Sequence, residues 1–490
     1  MSVFEIGGSK YFLCGGELVR TLPPSKLLSV FVSVIELKKA FNDRFLESGT
    51  KGIDRLNGFH FNKKIDEQCS VITRKCMSGH YHFTPYAEVL QLKGREKYPR
   101  VIGIPTIRDR LVLNQLKQIL SHIFPEYIPK NRANTLIHKI SREIKSIEDA
   151  GCSASTRVFG CDIVKFYDEI DRDILLKALR RRIKSKKLLK LIESAITTPI
   201  VPRDYRQKNI DKYTSSKGVP QGLAISNILA AIYLAEFDIE LERQEIHYYR
   251  YVDDILIFGD SLQVDNAKIL VEKRLSELEL KTHPVSDGGK SHLSPLSGQF
   301  GYLGYWFHIP KITVRPQTVE RFLQSIVGKF SDYTHNKASR LENYKYLNVD
   351  RLKEIFIFEL NERISGAISE KRRYGWIAYF SEITDLGLLR KLDRIIANFF
   401  KRLSDFGGKP PATLKKLTRS YYETRYSPMR GYIHNYDVIT TRTQKMEFLT
   451  FRGRLDPAKT YRDEEIDEKF DTYRAKVLAD LEPDDGSIYW

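Results

Sequence analysis

The sequence predicts an α+β fold, and three observations carry the prediction. Apolar residues recur at helical spacing in stretches such as LLSVFVSVIELKKAF (27–41) and LLKALRRRIKSKKLLKLIESAI (175–196). Short apolar or aromatic runs bounded by Gly, Pro or Asp read as strands: RVIGI (100–104), RVFGCDIVKFY (157–167) and the two halves of YRYVDDILIFGD (249–260). Past FGYLGYWFHI (300–309) the pattern becomes helices separated by polar loops.

Bulk composition narrows the function. At 490 residues the chain can build three or four structural regions, each with its own core. No run approaches the ~20 apolar residues of a membrane helix, so no membrane association is expected. The first thirty residues show no charged-then-apolar leader, and a cytoplasmic location is expected. Five scattered cysteines (Cys14, Cys69, Cys76, Cys152, Cys161) fit a reducing compartment, and Cys69 and Cys76 lack the paired Cys/His set of a zinc site. The net charge is +18. Residues 461–490 carry four basic and ten acidic side chains, so this tail contributes −6 and the rest of the chain +24. A basic body of that size points to nucleic acid or another polyanion.

In chain order, residues 1–45 read as mainly helical and GTKGIDRLNG (49–58) as a Gly-rich loop. KYPRVIGIPTIRDRLVLNQLKQIL (97–120) passes from a short strand through Pro105 into an amphipathic helix. TSSKGVPQG (214–222) opens a long helix, LAISNILAAIYLAEFDIELER (223–243). The YRYVDDILIFGD hairpin follows, then a helix near 263–280, a Gly-rich turn at Asp287-Gly288-Gly289-Lys290 and a strand pair near 300–309. Residues 318–406 predict three helices, FGGKPP (406–411) a linker, and 412–490 a Tyr- and Arg-rich segment with the acidic tail.

Chemistry concentrates at the adjacent carboxylates Asp253 and Asp254, which a hairpin turn would present at one edge of a sheet. Their natural partner is Asp162, embedded in the apolar run VFGCDIVKFYDEI, because a carboxylate there must be paired, hydrogen-bonded or metal-bound. Three carboxylates on neighbouring strands suit two Mg²⁺ ions about 3.5–4 Å apart, with Mn²⁺ as a substitute, in phosphoryl transfer.

CDIVKFYDEID, GVPQGLAISNILAAIYL and YRYVDDILIFG, in that order and spacing, resemble motifs A, B and C of a reverse transcriptase. GTKGIDRL and YPRVIGIPTIRDRLVLNQ resemble the finger motifs of group II intron-type enzymes. LKTHPVSDGGKS and FGYLGYWF resemble the lysine-bearing motif and primer grip that follow. The resemblance spans roughly 49–310. It implies a right-hand polymerase with an N-terminal helical extension (1–48), fingers and an antiparallel palm (49–310), a helical thumb (311–406) and a C-terminal extension (407–490).

Carried over residue by residue, the resemblance makes Asp162, Asp253 and Asp254 the metal-binding and catalytic triad, with Ile163 joining the metal set. Tyr167 becomes the aromatic gate that favours dNTPs. Lys97, Arg100 and Arg108 become triphosphate-holding cations, and Lys290 the general acid for pyrophosphate, with Lys273 and Lys281 as competitors. Gln221 and Gly222 would contact the nucleotide, and Gly218 and Pro220 the nucleic acid. Tyr302 and Tyr305, with Trp306, would support the primer end or fill core. Arg419, Arg425 and Arg430, interleaved with Tyr421, Tyr422, Tyr426 and Tyr432, would hold RNA or form a solvated face.

Ser226 is followed by Asn227, where many group II intron and retron enzymes place Pro, and no Cys/His endonuclease region follows the thumb. These features resemble the defence-associated and abortive-infection reverse transcriptases of bacteria. That lineage implies a structured non-coding RNA as template or scaffold, a DNA product, dNTP substrates, homo-oligomers, and priming from a nucleic-acid 3′ or a protein hydroxyl such as Tyr489. The alternatives left open are a group II intron or retron-type enzyme, a maturase-like RNA-binding protein, and an RNA-synthesising palm polymerase.

Overall fold

The computed structural model describes residues 3–6, 9–14, 17–20, 24–46, 48–91, 99–128, 133–286, 289–426 and 431–482. They form two compact units, one of residues 1–130 with 161–291 and one of 131–160 with 292–489. Lys97, Arg430 and Tyr489 lie outside the described residues.

The first unit opens with a correction. The described residues among the first twenty are not helical: Val3–Ile6, Ser9–Cys14 and Glu17–Arg20 form a three-stranded antiparallel meander. The Gly-Gly pairs at 7–8 and 15–16 separate short alternating runs, a spacing suited to hairpins and too short for a helix. Two helices then follow, Pro24–Phe31 and Val34–Arg44, where one was expected. Ser33 divides them by capping the second, its hydroxyl accepting from the Glu36 amide.

Tyr86–Gln91 and Arg100–Ile104 pair antiparallel, and Tyr86–Gln91 also pairs in parallel with Ile200–Val201. Thr106 caps the long buried helix Ile107–Ile123. Asp109, fully buried, accepts from the Tyr81 hydroxyl at 2.7 Å, the Thr84 amide at 3.1 Å and the Thr106 hydroxyl at 2.8 Å. Burial pushes its carboxyl up, and these donors oppose the shift. Gly52 of the Gly-rich loop has a physical reason: a Cβ there would lie 2.7 Å from the Thr106 backbone. Arg110 fastens the same loop through the Ser48 hydroxyl and the Thr50 carbonyl.

In the second unit, His292–Pro295 pairs antiparallel with 157–160, and a Cβ on Gly160 would strike the His292 ring. Gln299–Tyr302, Tyr305–His308 and Lys311–Val314 form a meander whose first turn has positive φ at both Leu303 and Gly304, the type I′ pattern. Helices Pro316–Asn343, Val349–Ser365 and Leu386–Phe399 follow, with a small sheet of Ala367–Ser369, Arg372–Tyr374 and His434–Asn435 among them.

The C-terminal region is built into this unit. Leu449, Leu455, Ile466, Phe470, Tyr473 and Leu481 bury a common core with Ala367 and Tyr436, and helix Asp463–Leu481 carries much of the acidic tail. Glu362 and Arg452 form a buried ion pair, with Arg452 guanidinium nitrogens 3.0 and 3.3 Å from the two carboxylate oxygens. The Tyr436 hydroxyl donates to Glu362 at 2.6 Å. No described helix is long and apolar enough to cross a membrane.

Candidate active site

Strand Arg157–Asp162 delivers a carboxylate at its end because Val158–Cys161 are buried while Asp162 emerges half-buried. The hairpin His247–Tyr251 and Asp254–Gly259 pairs Tyr251 with Asp254, which leaves Val252-Asp253 as a two-residue turn. Val252 has φ +58, and it alone of the two turn residues is positive, the type II′ pattern. A β-branched residue in that region costs about 1–3 kcal/mol and persists only where its surroundings over-determine it.

Backbone bonds tie the turn to Asp162. The Ile163 amide donates to the Asp253 carbonyl at 3.1 Å, and the His283 amide to the Asp162 carbonyl at 3.0 Å. Burial first, then the charge of Asp162, push the Asp253 carboxyl up to about 6, against the opposing charges of Arg100 and Lys290. Asp162 and Asp253 therefore share one field. Asp254 is felt differently: burial chiefly, then Asp254 and Asp162, raise the Cys161 thiol. The structure thus joins the turn at Asp253 to the strand end that carries Asp162, and the charge of Asp162 acts on the Asp253 carboxyl, while Asp254 opens the next strand. Among the described residues, no group of three or more His, Cys, Asp or Glu side chains is gathered as a ready cation site.

The remaining candidates have definite places. The Lys290 amine pairs with Asp162 Oδ2 and lies 3.1 Å from His283 Nε2, itself 3.4 Å from that oxygen. Burial and Lys290 lower the His283 imidazole, against the pull of Asp162. His283 went unnoticed in the sequence, although it stands two residues after a competing lysine, Lys281. Arg100 opens its strand within electrostatic reach of Asp253. Arg108 sits on the first turn of helix Ile107–Ile123, donating to the Thr84 hydroxyl at 3.2 Å.

Tyr167, nearly buried on the short helix Phe166–Glu169, donates its hydroxyl to Asn227 Oδ1 at 2.5 Å. The departure from Pro at position 227 thus has a structural use. In GVPQG, the Gly218 amide donates to Ile170 and the Val219 amide to the Tyr167 carbonyl. The Gly103 amide donates to Gln221, and the Ser226 hydroxyl to Pro220. Gly218 (φ +87) and Gly222 (φ +99) are needed for packing within the protein. A Cβ would lie 2.7 Å from the Asp168 carbonyl oxygen in the first and 2.9 Å from that of Gly103 in the second. The Gln221 side chain donates to Asp168 Oδ1 at 3.2 Å.

Two candidates on the second unit are corrected. Tyr302 and Tyr305 are 3% and 0% exposed, and the Tyr305 hydroxyl donates to the Tyr379 carbonyl at 2.5 Å. Strand alternation turns Tyr305 and Phe307 inward, so these tyrosines are core and cannot grip a primer. Trp306 stands on the other face with the Arg315 guanidinium 5.9 Å from its ring. On helix Leu417–Tyr426, Arg425 donates to the Ser381 carbonyl and Arg419 stacks 4.4 Å over Tyr432. Tyr422 and Tyr426, 45% and 64% exposed, lie side by side with ring centroids 5.9 Å apart.

Residues 92–307 match the family model described as "Reverse transcriptase (RNA-dependent DNA polymerase)". This segment is similar to reverse transcriptase domains. It contains Asp162, Asp253, Asp254 and Lys290, and it accounts for the mixed helix-and-sheet architecture as a right-hand polymerase fold. Among curated proteins, the chain is 28% identical over 194 residues to protein YkfC of Escherichia coli, covering 39% of this chain and 49% of that one. It is 27% identical over 201 residues to the group II intron-encoded protein LtrA of Lactococcus lactis, covering 39% and 30%. The chain thus spans less than half the length of these relatives. A solved telomerase from Candida albicans, in complex with a telomeric RNA fragment, covers 89% of this chain and 68% of its own. The TM-score is 0.41 at 11% identity.

Proposed function

We propose that the protein is an RNA-directed DNA polymerase that adds dNTPs to a primer hydroxyl at Asp162 and Asp253. The observation carrying this reading is the backbone bond that joins the strained turn at Asp253 to the strand end carrying Asp162, inside the segment that matches the reverse transcriptase model. Two half-buried carboxylates, with the charge of Asp162 helping to raise the Asp253 carboxyl, are hard oxygen donors suited to divalent cations. Asp162 and Asp253, flanked by Asp254 and the Ile163 backbone, would hold two Mg²⁺ ions, with Mn²⁺ as a substitute. Such ions supply charge neutralisation on the triphosphate and activation of the primer hydroxyl.

The chain's own groups complete the centre. Asp253 is fixed by its backbone, and Arg100 adds positive charge on the same side. The Lys290 amine, already against Asp162, would serve as the general acid for departing pyrophosphate. Tyr167 closes the sugar side with its ring held by Asn227.

The finer reading belongs to the same proposal: fingers and palm in 49–310, thumb in 311–406, and a role in bacterial antiphage defence with a dedicated structured non-coding RNA and a homo-oligomeric assembly. The basic body supports an RNA partner. The exposed Tyr422–Tyr426 pair beside Arg419 and Arg425 supports a stacking surface for it. Sequencing the nucleic acids that co-purify with wild-type and Asp253→Ala proteins tests both levels. A discrete RNA in both, with complementary DNA in the wild type alone, is expected. DNA in both preparations, or RNA extended with ribonucleotides, overturns the reading.

A further inference from the structure

The catalytic turn is held from behind by a side chain that no motif assigns. Arg250, two residues before Val252, spends three nitrogens on two anchors. Nε donates to Asp238 Oδ1 at 2.6 Å, Nη2 donates to Asp238 Oδ2, and Nη1 donates to the Val252 carbonyl at 2.8 Å. Asp238 lies on helix Ala235–Glu242, where the Tyr248 hydroxyl also donates to it at 2.6 Å. The two ionic side chains are 13% and 22% exposed, so the fork is largely shielded from water.

The Val252 carbonyl belongs to the peptide that enters Asp253. The Asp253 carbonyl, in the peptide that leaves it, accepts from Ile163. Both peptides around the Asp253 Cα are therefore gripped, one by Arg250 and one by the strand end that carries Asp162. Val252 keeps its left-handed φ of +58 under this double constraint.

We propose that Arg250, oriented by Asp238, is a positioning residue that sets the peptide plane ahead of Asp253 and so fixes that carboxylate for catalysis. This rests on the polymerase reading of the same site. Lysine cannot replace it, because a single ammonium cannot span a bidentate carboxylate and a carbonyl in the fixed geometry of a guanidinium.

The test compares full-length wild type with Arg250→Lys, alone and in a Val252→Gly background that removes the need for strain at position 252. With dNTPs and a primed RNA template, Arg250→Lys is expected to lower kcat about 10–100-fold, the range for a slightly misplaced reacting group. KM for dNTP should change less than about threefold, and the loss should shrink at least about threefold with Gly at 252. Amide hydrogen exchange over 249–256 should quicken about tenfold in Arg250→Lys. The proposal is overturned if kcat stays within twofold, if the loss is the same in both backgrounds, or if exchange is unchanged. Because exchange is read without turnover, it decides the proposal even where the wild type polymerises nothing, an outcome that would defeat the polymerase reading instead.

Discussion

Arg452→Met tests whether the C-terminal region is an integral part of the second unit. Arg452 caps helix Arg442–Phe451, its guanidinium enclosed by the rings of Phe358, Phe448 and Tyr473, and its carboxylate partner among the described residues is Glu362 of helix Val349–Ser365. Removing the cation leaves a buried carboxylate with one remaining donor, the Tyr436 hydroxyl. Breaking a buried pair from one side costs about 3–5 kcal/mol, whereas replacing both partners with neutral groups is often close to neutral. At roughly 2–4 °C per kcal/mol for a unit of this size, Tm should fall by about 6–20 °C. Arg452→Met/Glu362→Gln should recover most of that.

The pH dependence follows in sign. Burial already lifts Glu362 above the usual carboxylate range against the pull of Arg452, and without Arg452 it rises further. A raised carboxyl contributes stability below its unfolded value of about 4.3 and loses it as pH rises through the folded value. The single variant's deficit should therefore grow from pH 5 to pH 8. Thermal unfolding followed by circular dichroism reads all three proteins. A single variant within about 2 °C of wild type at pH 7.5, or a double variant no better than the single, refutes the reasoning.

Tyr167→Phe removes the bond to Asn227 but keeps the ring. Discrimination for dNTPs over NTPs, measured as a ratio of kcat/KM values, should fall by about 3–10-fold, in keeping with one hydrogen bond. Asn227→Ala should give a similar loss and add little in the double variant. Tyr422→Ala/Tyr426→Ala removes two exposed stacking faces, so single-stranded RNA affinity in a filter-binding titration should drop at least about tenfold, at ~1–3 kcal/mol per stacked base. Tm should not move, because neither ring is buried.

The parts legible in sequence were those whose signal is local. Asp162 stood out because a charge inside VFGCD demands a partner, and Asp253-Asp254 because two strand-like runs flank them with room only for a tight turn, which the structure closes one residue earlier, at Val252-Asp253. The C-terminal core was hidden because its anchor joins Glu362 to Arg452 across 90 positions, and no periodicity reports such a distance. Asp238 was hidden for a related reason: on a helix its charge looks like ordinary solvated surface until Arg250 folds against it.

One open choice and one misreading had signals that could have settled them. Tyr302 and Tyr305 flank the Leu303-Gly304 turn as directly opposed residues, and Phe300 and Phe307 continue the same face. A face made wholly of large apolar rings belongs in a core. The N-terminal meander was masked by the strong helical pattern that follows it, although Gly-Gly at 7–8 and 15–16 marks runs too short for helices.

The most direct measurement is primer extension on a defined RNA template with Mg²⁺ and dNTPs, comparing wild type with Asp253→Asn. Asparagine keeps the size of the side chain and removes the negative charge through which it would hold a divalent cation. Wild-type DNA synthesis that falls on the order of 10²-fold or more, with an unchanged Tm, is the predicted result. Equal extension by the two proteins would contradict the assignment of the chemistry to this turn.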